Sequence, residues 1–147
     1  AKGDLCLTDG NDLAYRVAEA TGGGDVRLAL DAIAGDTTQR LADCLIDGGT
    51  VVNYGLLSGA SCRLTPGDII FRDIRLKGVW LTRWLHDRSK FNEQKRVYDE
   101  LKEHVIAGRL SVKIDTTYHL GQIKDALSHA AAEGRNGKIL LLPNGNI

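Results

Sequence analysis

GGTVVNYGLLSG, residues 48–59, is the stretch that decides the fold of this chain. Its glycine pair turns the chain out of a preceding helix, and the β-branched run that follows predicts a short strand. Gly55 comes where that strand should end. Ligands of a parallel sheet lie just beyond the carboxyl ends of its strands, and a glycine there removes the Cβ that would keep a ligand away from the backbone. Tyr54, Gly55, Leu56 and Leu57 are therefore predicted to form the wall of a cofactor site.

The segments on either side of this stretch alternate between strand and helix patterns. Before it, we predict a strand at residues 4–8, a helix capped by Asn11 or Asp12, a strand at residues 25–31 and a helix at residues 36–45. After it, we predict a short helix at residues 68–72, a strand at 75–81, a long helix at 89–107, a strand at 111–120, a helix at 122–133 and a last strand at 138–142. Strands joined through helices at this spacing predict right-handed crossovers. The expected fold class is therefore α/β, with a Rossmann-type parallel sheet.

The composition excludes several classes of function. Nineteen basic residues balance nineteen acidic ones, so no net charge attracts nucleic acid or an anionic membrane. No apolar run is long enough to span a bilayer. Three widely spaced cysteines without a Cys/His pair are typical of a reduced protein and argue against a zinc site. The chain has 147 residues, contains no methionine and begins at Ala1, so we expect one ordinary core and the C-terminal part of a longer protein.

From residue 25 onward, the order of segments resembles a known family. The segments are LALDAIAGD (28–36), LIDGGTVVNYGLLSG (45–59), IIFRDIRLKGVWLTRW (69–84), YHLGQIKDALSHA (118–130) and GKILLL (137–142). Together they resemble the C-terminal half of a zinc-independent medium-chain dehydrogenase/reductase. Within that superfamily, RLKGVWLTRW (75–84) is most similar to the mitochondrial-type trans-2-enoyl thioester reductases. The resemblance implies a partial Rossmann sheet, because the GroES-like catalytic domain and the first βαβ unit with its glycine-rich turn are not in this sequence.

The resemblance also implies a set of contacts to the cofactor. The matching residues are Tyr54, Gly55, Leu56 and Leu57 along the nicotinamide and ribose, Val79, Trp80, Leu81 and Thr82 in a second segment, and Lys138 near the C-terminus, with Ala32 and Ala34 expected to line the same crevice. A lysine at that place would pair with a phosphate. Each assignment has a plainer alternative: an ordinary strand-to-loop turn for the first segment, a core position for Trp80 and a solvated side chain for Lys138.

The sequence offers no catalytic residue and no metal site. Asp31 ends a predicted strand where a catalytic acid could lie, but a carboxylate that caps the following turn is the favoured interpretation. We interpret the histidines as surface or interface residues: His86, His104, His119 and His129. No Ser/His/Asp or Cys/His set is apparent.

The function implied by the resemblance is NADPH-dependent reduction of the C=C bond of a 2-enoyl thioester by the parent protein. Two alternatives remain, namely a quinone or enone oxidoreductase of the same superfamily and a non-catalytic binding or assembly fragment. The isolated chain is expected to be inactive, because it lacks the glycine-rich turn and the tyrosine that assists proton delivery in such enzymes. We expect residues 1–110 to be a partial nucleotide-binding domain, and residues 111–147 to be a return segment that packs on the catalytic domain.

The implied partner is a small molecule, an acyl thioester, with no nucleic acid and no membrane. A homodimer is expected through the predicted edge strand at residues 75–81, because an exposed edge needs covering and the superfamily commonly pairs this edge with its copy. The expected location is the cytoplasm, or the mitochondrial matrix in a eukaryote.

Overall fold

The computed structural model describes residues 3–132 and 134–143, and within them the chain is an α/β protein whose paired strands all run parallel. Its elements are α1 (Leu13–Thr21), β1 (Leu28–Asp31), α2 (Asp36–Asp43), β2 (Thr50–Asn53), α3 (Pro66–Phe71), β3 (Arg75–Gly78), α4 (Leu81–His86), α5 (Phe91–Ile106), β4 (Ile114–His119), α6 (Ile123–Ala131) and β5 (Lys138–Leu142), with short 3-10 turns at Arg88–Lys90 and Leu120–Gln122. The predicted fold class is confirmed.

The chain divides into two compact units, one formed by the described residues up to Asn92 and the other by those from Glu93 onward. The predicted packing of residues 111–147 on a further catalytic domain concerns a domain that this sequence does not hold, and it stays a prediction.

The first unit is built on a parallel sheet of order β1-β2-β3. Asp31, Asn53 and Gly78 are partners at the end of the ladder, so the three strands finish side by side. One face of the sheet is covered by α2, and the buried core consists of Ala29, Ala42, Leu45, Val51 and Ile74. This arrangement brings the loops that follow the three strands to one edge of the sheet.

The second unit pairs β4 with β5 in parallel, and α6 connects them. Tyr118 on β4 lies edge-on to His129 on α6, with ring centroids 6.0 Å apart and 3.0 Å between the phenolic oxygen and Nδ1. Asp115 Oδ2 lies 3.5 Å from Nε2 of the same ring. These contacts fasten the helix to the strand.

Two parts of the predicted topology are wrong. Residues 4–8 form no strand, and this segment has no ladder partner among the described residues. It is held instead by side chains, since Arg16 donates to the Thr8 carbonyl at 2.7 Å and Asp9 pairs with Arg40 at 2.6 Å.

The second error is the length of the edge strand, which was predicted to run from Arg75 to Leu81. The strand ends at Gly78, and Leu81 begins α4 instead. The chain leaves the sheet here because Trp84 N–H donates to the Trp80 carbonyl at 3.2 Å and closes a helical turn.

Candidate functional site

The carboxyl edge of the β1-β2-β3 sheet brings together the two predicted cofactor segments of the first unit. Tyr54 N–H donates to the Asp31 carbonyl at 2.9 Å, and Val79 N–H donates to the Asn53 carbonyl at 2.9 Å. Each segment therefore leaves the sheet directly beside the end of the preceding strand. This is the place at which parallel sheets bind ligands.

A buried carboxylate holds this edge together from below. Asp31 is 1% exposed, and its Oδ1 accepts the N–H groups of Ile33 and Ala34 at 2.9 Å each. Its Oδ2 accepts from the Thr38 hydroxyl at 2.7 Å and the Asn53 amide at 3.3 Å. Burial opposes ionisation, but these four hydrogen bonds outweigh it and lower the pKa of Asp31.

The capping role expected for Asp31 is thus observed, and a general acid would need the opposite pKa shift. Sequence reasoning missed Thr38 and Asn53 as its partners. The signal that could have found Thr38 is its place early in the helix that follows the Asp31 turn, where a hydroxyl can face the preceding carboxylate.

A glycine is needed at position 55 because two loops approach each other closely there, and not because a ligand needs free space beside it. A Cβ at this position would lie 2.5 Å from the Ala32 carbonyl oxygen and 3.1 Å from the Ala32 carbonyl carbon. The same carbonyl accepts the Leu57 N–H at 3.2 Å, and the Ser58 N–H donates to the Ile33 carbonyl at 2.9 Å. The loop after β2 is therefore seated on the loop after β1.

Of the two alanines expected in the crevice, Ala34 is buried and has a left-handed backbone with φ 67. A non-glycine residue pays a steric cost in that region, and the Asp31 carboxylate holds it there through the Ala34 N–H. Ala32 contributes its carbonyl to the seat of the next loop.

The surface above this edge is apolar and exposed. Its members are Tyr54, Leu56, Leu57, Val79, Trp80 and Leu81, with Leu57 77% and Trp80 70% exposed. Trp80 is therefore exposed in its unit. In the described part of the chain, the N–H groups of Gly55 and Leu56 have no hydrogen-bond partner. A planar ring with amide substituents could stack on this surface and bond to these groups, because apolar walls with a few polar contacts are typical of cofactor sites.

Lys138 lies in the second unit, at the first residue of β5. It lines a cavity of about 340 Å³ together with Val112, Lys113 and residues 135–137. Its predicted contact with the cofactor stays a prediction, as do those of Thr82 and the other residues of the two segments.

The described residues contain no group of three His, Cys, Asp or Glu side chains that could hold a metal ion. Cys6, Cys44 and Cys62 are free thiols, and burial raises the pKa of Cys44. No helix in the described ranges combines the length and apolarity that crossing a bilayer requires. An apolar cavity of about 360 Å³ in the first unit lies beside α1 and β1 rather than at the carboxyl edge.

Comparison with known proteins gives consistent matches. The family model described as zinc-binding dehydrogenase matches residues 6–141. The mitochondrial enoyl-[acyl-carrier-protein] reductase of Dictyostelium discoideum is 29% identical over 115 residues, which are 78% of this chain and 32% of that protein. The chain thus spans about a third of that relative's length.

Two solved structures are similar over most of the chain. A 2-haloacrylate reductase is 29% identical with a TM-score of 0.74, and the match covers 92% of this chain and 42% of that one. A Bacillus thuringiensis protein described as an NADPH:quinone reductase is 25% identical with a TM-score of 0.75, and the match covers 90% of this chain and 40% of that one.

Proposed function

Because the chain belongs to the zinc-binding dehydrogenase family, we propose that it forms part of an NADPH-dependent oxidoreductase that reduces the C=C bond of 2-enoyl thioesters. The observation that carries the proposal is the carboxyl edge of the first unit, where two loops present exposed apolar side chains and unpaired backbone N–H groups. The family name mentions zinc, but the described residues offer no donor set that fits a zinc ion. No step is therefore assigned to a metal.

The residues at this edge suit the nicotinamide half of a dinucleotide. The N–H groups of Gly55 and Leu56 can hydrogen-bond a carboxamide oxygen, and the side chains of Leu56, Leu57 and Trp80 can cover a flat ring and exclude water from it. The bound nicotinamide supplies the hydride. What the chain contributes is orientation, because a ring held against a fixed backbone offers one face to the substrate.

The names of two similar proteins support the proposed substrate class. An enoyl thioester and a 2-haloacrylate both contain a C=C bond conjugated to a carbonyl carbon, and both names describe reductases of those proteins. Conjugation makes the β-carbon electrophilic, so hydride addition there needs no metal. We assign the proton that reaches the α-carbon to a group outside this chain.

A quinone reductase is the second candidate, and the similarity to the Bacillus thuringiensis protein favours it. The two candidates differ in the acceptor and not in the cofactor site. The acceptor would be chosen by residues that contact it, and Trp80 with its exposed indole is the candidate in this chain.

The test is steady-state oxidation of NADPH by the full-length parent, with crotonyl thioester and a benzoquinone as competing acceptors. We expect a higher kcat/KM for the thioester and a loss of about tenfold in kcat/KM for Leu57→Ser, since the leucine would no longer cover the ring. Leu101→Ser, an exposed apolar position on α5, is the matched control and should retain activity. Faster turnover of the quinone would select the second candidate, and no NADPH oxidation with either acceptor would refute both.

The proposal extends to assembly and location. Every residue of β3 is exposed at the edge of its sheet, so we propose that two copies pair along this strand to form a homodimer. A monomer mass by light scattering of the parent would refute the pairing.

The relative from Dictyostelium is named as mitochondrial, and for the location of the parent we propose the mitochondrial matrix, or the cytoplasm in an organism without mitochondria.

A further inference from the structure

A second cluster of polar groups lies where β4 and β5 begin. The segments that precede the two strands line one cavity of about 340 Å³. The strands are parallel with Ile114 beside Lys138, and Lys138 N–H donates to the Lys113 carbonyl at 2.8 Å. Neighbouring parallel strands begin at the same edge of a sheet, so the ladder itself brings the two segments together.

The backbone around this cavity is fixed by a close approach. A Cβ on Gly137 would lie 2.6 Å from the Lys113 carbonyl oxygen and 2.8 Å from the Asp115 nitrogen, so only glycine permits the contact. Beside it, Asn136 N–H donates to Asp115 Oδ2 at 3.3 Å. The positions from which side chains enter the cavity are thus set before any ligand arrives, which lowers the entropic cost of binding.

Three cations line the cavity: Lys113, Arg135 and Lys138, which we call the basic cluster. Within the described ranges, none of the three forms an ion pair, whereas Arg40 and Arg72 of the first unit each pair with an aspartate. The acidic neighbour Asp115 is engaged by Asn136 and by His129, which lies 3.5 Å from its Oδ2. Three like charges around one cavity repel one another, and a bound anion would relieve that repulsion.

We propose that the basic cluster binds a phosphomonoester. A guanidinium fork matches two oxygens of a phosphate, and two flexible ammonium groups add point charges around the third. A phosphate dianion also neutralises more of the charge of three cations than a singly charged carboxylate does. The proposed cofactor and a coenzyme A thioester both carry a phosphomonoester on a ribose ring, so this choice of carriers rests on the proposed function, but the phosphate site does not.

The experiment is an NMR titration of the isotope-labelled chain with two matched pairs of ligands, NADPH against NADH and coenzyme A against dephospho-coenzyme A. We expect the phosphorylated member of at least one pair to shift the amides of Lys113, Gly137 and Lys138 saturably, with a dissociation constant about fivefold lower than that of its partner. The pair that responds identifies the carrier. Equal dissociation constants within both pairs, or shifts confined to other residues, would overturn the proposal.

Matched variants distinguish ligand binding at the basic cluster from unspecific electrostatic attraction to the chain. Arg135→Gln and Lys113→Gln are each expected to weaken binding about threefold to tenfold. Lys102→Gln removes the same charge from an exposed position of the same unit and should leave binding unchanged. An equal loss in Lys102→Gln would mean unspecific attraction and would overturn the site. A parent that reduces enoyl thioesters while its chain shows no preference for the phosphorylated ligands would refute this inference and leave the proposed function standing.

Discussion

Replacement of Gly55 by alanine tests whether the carboxyl edge depends on the close approach of two loops. The new Cβ would lie 2.5 Å from the Ala32 carbonyl oxygen, about 0.9 Å inside the 3.4 Å at which ordinary contact begins. The Ala32 atoms that the new Cβ would meet all belong to the backbone, so no side chain can rotate away to relieve the clash. Overpacking of this kind costs about 1–3 kcal/mol, which for a chain of this length corresponds to a loss of about 3 to 10 °C in Tm. The hydrogen bond from Leu57 N–H to the Ala32 carbonyl should be lost with it.

The assay is thermal unfolding by circular dichroism, followed by an NADPH titration of the parent. Gly78→Ala is the matched control, because Gly78 ends β3 at the same edge and a Cβ there meets nothing within 4 Å. We expect Gly55→Ala alone to lower Tm and to weaken NADPH binding. If both variants unfold within about 1 °C of the wild type, the two loops do not touch as described and the reasoning fails.

Two further predictions concern buried carboxylates. Asp31→Asn places an amide N–H₂ against groups that already donate, so we expect a loss of about 2–4 kcal/mol in the free energy of unfolding by urea, and a change below about 0.5 kcal/mol would contradict the network. Asp68 is nearly buried, and although burial opposes ionisation, hydrogen bonds from Thr65, Gln39 and Arg72 lower its pKa to about 2. Because the folded pKa lies below the unfolded value, its ionised form stabilises the protein by about 2 kcal/mol above pH ~4, and this is lost as the pH falls toward ~2. The difference in urea stability between wild type and Asp68→Asn should therefore shrink over that window, and a constant difference would refute the assignment.

The parallel sheet could be predicted because its determinants are local. Short apolar runs separated by amphipathic helices predicted β1, β2 and β5, and β5 lies at the residues expected, Lys138–Leu142. The glycines that follow α1 are typical of a helix end, and Gly22 ends α1 in a left-handed conformation with φ 62. Such features depend on neighbours within a few residues, which the sequence displays directly.

Most of the missed features depend on distant partners. Residues 4–8 have a strand-like composition, but a strand exists only where a second strand accepts its hydrogen bonds, and no composition reveals that partner. The early end of β3 has a local cause instead, since Val79 and Trp80 favour strands while the run from Leu81 favours a helix. The contacts of His129 with Asp115 and Tyr118 join residues that lie more than ten positions apart, so spacing rules for ligands could not find them.

The role of Gly55 shows why the candidate site could be located from sequence but not explained. Its position after a strand suggested contact with a ligand. In the structure, the absence of a Cβ at Gly55 allows the loop after β2 to pack on the loop after β1. Asp31 is a similar case, since a carboxylate at a strand end could be a catalytic acid, but here it bonds to the loop after β1, to the end of β2 and to α2. An edge held by backbone contacts and a buried ionised cap can position a ligand without contributing a titratable group to the reaction. In such a site, substitutions that move the backbone should impair binding more than substitutions that remove one exposed side chain. The apolar wall is shared among several residues, whereas the backbone hydrogen bonds that seat the loop after β2 all depend on the close approach of Gly55 to Ala32.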